Sequence, residues 1–196
     1  MQTSRSMIRP CLIRVPSVAL FAMLASGCHS NKLPVYENAA GFRFTPPAGW
    51  VERARDDALP AKSATRRQEL PLPPLDTQIQ ERLLVRYDRL APGSLGWLRI
   101  TAADGISSTA PLKTCLVNRL PDKRWKPESE EEELEVGGLP AVRVAHVGSW
   151  DDQEYLCETV VVRSGTSIYF ITASFPASDG AARDEVRAAI TAARWR

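Results

Sequence analysis

Histidine is scarce in this chain: 196 residues hold two, His29 and His146. Neither has Cys, His or acidic partners at zinc-ligand spacing. No glycine-rich phosphate loop and no dinucleotide fingerprint occurs. Long hydrophobic runs are missing too. The longest, Val15–Leu24, falls well short of the roughly 20 residues that span a bilayer. An excess of one charge is also absent from most of the chain. Lys and Arg number 25, Asp and Glu 23, but Arg5, Arg9 and Arg14 all precede residue 28, where no acid occurs. The 25 basic residues less those three leave 22 against 23 acidic in residues 28–196, a net of −1. A near-neutral body lacks the basic surplus of a nucleic-acid binder.

What is present begins with a basic start, a short apolar run and Leu24-Ala25-Ser26-Gly27-Cys28. The first two are the n- and h-regions of a secretory signal. With the last, residues 1–28 resemble bacterial lipoprotein signal peptides. The resemblance implies cleavage between Gly27 and Cys28 and acylation of the Cys28 thiol by diacylglycerol and palmitate. Two or more acyl chains anchor a protein stably. The alternative is an ordinary secretory signal with a cysteine near its cut. His29, where Asp would retain an enterobacterial lipoprotein in the inner membrane, implies the outer membrane, facing the periplasm. The expected organisation is a signal peptide over 1–27, a lipidated tether over 28–40 and a single domain over 41–196.

Of four cysteines, Cys11 leaves with the leader and Cys28 takes lipid. Cys115 and Cys157 remain, and an even pair in an oxidising compartment is expected as a disulfide. Two buried free thiols are the alternative.

Alternation predicts strands over 41–45, 82–87, 97–101, 141–147, 155–163 and 166–173. Leu83, Val85 and Tyr87 are expected on one face. Ser164-Gly165 reads as a two-residue hairpin turn, which opposes Val161 to Ile168 and Cys157 to Thr172. Both faces of that hairpin are apolar, so both are expected to be covered. A short helix is expected from Pro111 to Pro121. A second, capped by Ser178, carries the stripe Val186, Ala189, Ile190 and Ala193. Residues 53–76, with Leu70-Pro71-Leu72-Pro73-Pro74, read as a long excursion and a candidate contact surface.

Gly41-Phe42-Arg43-Phe44-Thr45-Pro46-Pro47-Ala48-Gly49-Trp50 resembles the opening strand and turn of PsbP-like domains. Gly138-Leu139-Pro140-Ala141 resembles their middle segment, and Ala193-Arg194-Trp195 their end. The resemblance implies an α+β fold, a single α/β/α sandwich around a mostly antiparallel sheet. It brings no catalytic residues with it, because the family's members mostly bind or assist assembly.

The remaining candidates for chemistry are few. His146 reads as a packed or edge histidine. Gly93-Ser94-Leu95-Gly96 lacks the glycine and the strand-to-helix context of a nucleophile elbow. The acidic run Glu128–Glu135 reads as a charged edge rather than a calcium loop. The expected function is non-enzymatic, with no cofactor, metal or catalytic residue. The lipid binds a membrane and the domain binds an envelope protein. The alternative is a small-ligand carrier or hydrolase whose site gathers around His146.

Overall fold

The computed structural model describes residues 35–53, 79–91, 94–107, 109–116 and 125–196. The leader, the Gly27–Cys28 cleavage and acylation site, nearly all of the 53–76 excursion and the end of the helix expected at Pro121 lie outside them. The chain divides between Lys32 and Leu33, and every described residue belongs to the second unit. Among the described residues no helix is long and apolar enough to cross a membrane.

The domain starts before the expected boundary at residue 41. Tyr36–Glu37 (β1) pairs antiparallel with Arg43–Phe44 (β2). The Asn38 side-chain carbonyl accepts from the Ala40 and Phe42 amides at 3.1 and 3.0 Å, closing the chain between them. Asparagine does this readily because its side chain mimics a backbone turn. Residues 36–40 are therefore part of the fold and not of the tether.

One antiparallel sheet makes up most of the rest. Its strands are Trp50–Glu52 (β3), Arg82–Ala91 (β4), Ser94–Ala103 (β5), Trp125–Pro127 (β6), Glu132–Val136 (β7), Leu139–Trp150 (β8), Gln153–Ser164 (β9) and Ser167–Pro176 (β10). They run in the order β3-β4-β5-β10-β9-β8-β6, and β7 also pairs with β8. Val, Ile, Phe and Tyr crowd the central strands, and β10 is buried at every position from Ile168 to Pro176. Such a strand needs cover on both faces.

The helix Gly180–Thr191 (α1) covers the first face. Its Ala182, Val186, Ala189 and Ile190 pack on Leu98, Ile100, Val160, Val162 and Ile171. Each large apolar side chain so buried contributes about 1.5–3 kcal/mol. The cap is Asp179, not Ser178: its carboxylate accepts from the Ala182 amide at 3.0 Å.

On the second face, Leu112 and Cys115 belong to a 3₁₀ turn, Leu112–Cys115, and pack on Val142, Val144, Val161, Ile168 and Phe170. No side chain caps this turn, and Leu116 is its C-cap; residues 117–121 of the expected helix lie outside the described residues. Among the described residues the second helical layer of a full α/β/α sandwich is thus reduced to one 3₁₀ turn.

Two strand details differ from the expected pattern. A bulge between Leu83 and Val85 puts Leu83 opposite Thr101 on the second face, while Val85 and Tyr87 stay on the first. The β9–β10 register also slips by two residues. Val161 opposes Phe170 and Cys157 opposes Ser174, around Gly165-Thr166. Tight hairpin turns need positive φ at their first central residue. Gly165 has it, at 61°, and Ser164 does not. A slip of two keeps parity, so the expected faces hold.

Candidate functional site

The two faces of the sheet differ in chemistry. The first is apolar at its centre except for Glu158, with Arg143 and Arg89 towards its edges. The second is apolar only towards the 3₁₀ turn; beyond Val144 it turns polar. His146, Cys157, Ser174, Trp97 and Asp88 lie opposite one another in a single row across β8, β9, β10, β5 and β4. The next row holds Thr159, Thr172, Arg99 and Arg86. His146, Cys157, Ser174, Trp97, Thr159, Thr172 and Arg99 are all buried. At the far end, Trp97 and Tyr155 pack with the half-buried Trp125 and Trp150. The Trp125 ring packs against Gly148, where a Cβ would come within 2.7 Å of it.

The polar band is partly satisfied from within. Thr159 donates to Thr172 at 3.3 Å. Asp88 is engaged by Arg86 at 2.8 Å and Arg53 at 3.5 Å. The Arg99 guanidinium stands 5.9 Å over the Trp97 ring, a cation–π distance. Among the described residues Ser174 Oγ and Trp97 Nε1 of this band are buried without a hydrogen-bond partner. Each such group costs about 1–3 kcal/mol.

The geometry does not make a nucleophile. Burial pushes the Cys157 thiol up to about 12, so it stays protonated beside His146. A reactive cysteine needs the opposite shift. Burial also pushes His146 below its ordinary value, leaving the imidazole neutral. Ser174 lies two strands from His146, roughly 10 Å at 4.8 Å per strand, too far for proton transfer.

The Cys115–Cys157 disulfide is not formed, and both thiols are free. Cys115 packs against the apolar patch whose β9 member is Val161. Cys157 lies four residues further along that strand, roughly 13 Å away, opposite His146 and Ser174.

Four glutamates of the acidic run make ion pairs. Lys113 reaches Glu131 and Glu133 at 3.6 and 3.7 Å, Arg143 engages Glu132, and Arg183 engages Glu128 at 2.8 Å. Among the described residues no group of three His, Cys, Asp or Glu side chains could hold a metal ion. The Ser94-Leu95-Gly96 part of the apparent elbow is ordinary strand in β5.

Sequence reading singled out His146 and Cys157 but missed Ser174, Trp97, Arg99, Thr159 and Thr172. Their signal was present: polar residues at every second position in strands whose other positions are apolar.

No protein family and no curated protein matches the chain by sequence. Solved structures do match by shape. Cyanobacterial PsbP (CyanoP) of Synechocystis sp. PCC 6803 has a TM-score of 0.53 at 13% identity, over 87% of this chain and 96% of its own. The fold is PsbP-like. A Bacteroides thetaiotaomicron VPI-5482 protein has a TM-score of 0.51 at 12% identity, over 84% of this chain. The match covers 49% of that protein, so the chain spans about half its length. LpqN of Mycobacterium tuberculosis, involved in cell envelope biogenesis, is similar at a TM-score of 0.48 and 9% identity, over 82% of this chain and 88% of its own.

The segments that resemble PsbP-like domains meet at one place in the PsbP-like fold, away from the polar band. Phe42 contacts Trp195 and Tyr169, with ring centroids 4.9 and 5.0 Å apart. Arg43 and Arg194 exchange backbone hydrogen bonds of 2.8 and 3.1 Å, and the Arg196 amide donates to Gly41. The Gly137-Gly138 turn fits beneath: a Cβ on Gly137 would lie 2.7 Å from the Ala193 carbonyl. These motifs hold the fold closed.

Proposed function

We propose that this protein is a membrane-anchored, non-catalytic lipoprotein of the cell envelope that binds, or helps assemble, another envelope component. The observation that carries the reading is the position of the lipobox. Val35, the first described residue, comes seven residues after Cys28, a reach of about 25 Å at full extension. A lipid on Cys28 therefore holds the domain against the bilayer surface, where its partners are envelope components. The absence of an activated nucleophile from the polar band supports binding over hydrolysis. His29 after the acylated cysteine supports the outer membrane, facing the periplasm.

Cys28→Ser tests the anchor. The variant is expected to leave the membrane fraction and to take up no labelled palmitate; a variant that keeps both refutes the reading. Cross-linking of the native protein in the envelope identifies the partner. If the only cross-links are to its own copies, the assembly role fails while the anchor stands.

A further inference from the structure

We infer that the outward side of the ribbon made by β1, β2 and residues 194–196 docks on anionic phospholipid headgroups. This rests on the anchored reading above and names the face that the lipid holds to the bilayer.

The ribbon is three short segments side by side. Glu37 pairs with Arg43 across β1 and β2, and Arg43 pairs in turn with Arg194. Side chains alternate along extended chain. Phe42, Phe44 and Ala193 are fully buried, and Tyr36 and Trp195 pack against the same core. Val35, Glu37, Arg43, Thr45, Arg194 and Arg196 alternate with them and share the side that faces away from the core. The Arg43 and Arg196 side chains are 42% and 66% exposed, and Arg194 is exposed as well.

That side is positive. Of its six residues Glu37 alone is acidic, and Arg43 at 3.4 Å and Arg196 at 3.1 Å share it. Arg194 donates to the Thr191 and Ala193 carbonyls at 2.8 and 2.7 Å. Those acceptors are neutral and leave its charge whole. Three guanidinium groups thus face one carboxylate, and counting a carboxylate at the end of Arg196 still leaves a surplus. No acid other than Glu37 occurs over residues 29–49 or 186–196, whereas Lys32 adds a positive charge between Cys28 and Val35. The acidic strand β7 comes near where Gly137 meets Ala193. Its Leu134 and Val136 face the helix-covered core, so Glu133 and Glu135 project to the other face, where Lys113 meets Glu133 at 3.7 Å.

Position selects the occupant. Val35 stands on the positive side, is 44% exposed and comes seven residues after Cys28. The ribbon is therefore the part of the domain from which the chain runs back to the anchor. Exposed arginines attract an anionic bilayer within about a Debye length, roughly 10 Å at 0.1 M salt. An apolar residue among them enters the headgroup boundary. The β8–β9 turn, at the opposite end of β8 from Gly138, carries Asp151, Asp152 and Glu154, all exposed. Repulsion there favours the same orientation.

The test holds residues 29–196 on vesicles through an N-terminal hexahistidine tag and a nickel-chelating lipid, so its outcome is independent of whether Cys28 is acylated. These residues include the whole compact unit from Leu33 on. The vesicles are phosphatidylcholine alone or its equimolar mixture with phosphatidylglycerol. Phenylglyoxal modifies exposed arginines, and mass spectrometry reads each one. On the mixed vesicles Arg43, Arg194 and Arg196 should react about fivefold more slowly than on phosphatidylcholine, the equivalent of one arginine's attraction to such a surface. Arg82, 53% exposed but outside the ribbon, should react equally on both. High salt should remove the difference. Glu37→Gln should deepen the protection, a gain that misfolding does not produce, and Arg194→Gln should lessen it at Arg43 and Arg196. Equal rates on the two vesicles, or equal slowing of Arg82, overturns the inference. Cys28→Ser bears on the anchor alone, so the two failures are told apart.

Discussion

Glu158 is fully buried on the helix-covered face of the sheet, where two arginines, Arg183 and Arg187, bond to it. Its Oε1 accepts from Arg183 Nε and Arg187 Nε, each at 3.1 Å. Arg183 and Arg187 are one turn apart on α1, so a single carboxylate pins two successive turns of the helix to β9. Glu158→Ala takes from Arg187 the carboxylate it bonds to, while Arg183 keeps Glu128. The expected loss is about 2 kcal/mol in urea unfolding, the range for hydrogen bonds to charged groups; a change below about 0.5 kcal/mol would mean that water replaces the carboxylate. His146 makes a pH-dependent contribution. Burial lowers its native pKa, so the unfolded chain gains a proton near the ordinary value of about 6.5 while the native state does not. Stability is then full above that pH and declines as pH falls from about 6.5 towards the depressed native pKa. His146→Gln, neutral throughout, should flatten this part of the stability curve. An identical acid limb in the variant would assign the decline to the carboxylates.

At the scale of elements, α1 separates two neighbouring candidates for its cap. Asp179 caps the helix and also pairs with Arg89 on β4. Asp179→Ala should cost about 1–2 kcal/mol, the range for a lost N-cap, and Ser178→Ala close to nothing. The reverse order in thermal melts would restore Ser178 as the cap. The strands of the main sheet were largely legible, because alternation in β4, β5, β8, β9 and β10 is strong. Their ends were not: β8 runs to Trp150 and β10 to Pro176, since pairing continues where composition turns polar or aromatic. The bulge at Leu84 was hidden because Leu83, Leu84 and Val85 are all apolar, and alternation carries no signal there. The hairpin slipped because glycine's place in the turn, first rather than second, depends on backbone dihedrals and not on composition. The polar band was half legible. His146 and Cys157 drew attention as residue types, whereas Ser174 and Arg99 matter only through the register that brings them beside Trp97.

At the scale of the whole molecule, the two ends of the domain are held to each other. Gly137 has φ of 59° and no room for a Cβ beneath the Ala193 carbonyl. Gly137→Ala should therefore lower stability by more than the roughly 1 kcal/mol typical of glycine in a left-handed conformation, as read by calorimetry. Gly138→Ala, at φ of 82° with open space around it, isolates the dihedral cost alone. Equal losses in the two variants would show that the Ala193 segment yields.

The pairing of Arg194 and Arg196 with Gly41–Arg43 has a consequence for timing. The first strands of the domain close against residues that are synthesised some 150 positions later, a contact that local folding cannot anticipate. During synthesis the N-terminal part therefore has no finished core to commit to. On the proposed export route this is a help, because the domain stays threadable until Arg194 and Arg196 have followed Gly41–Arg43 across.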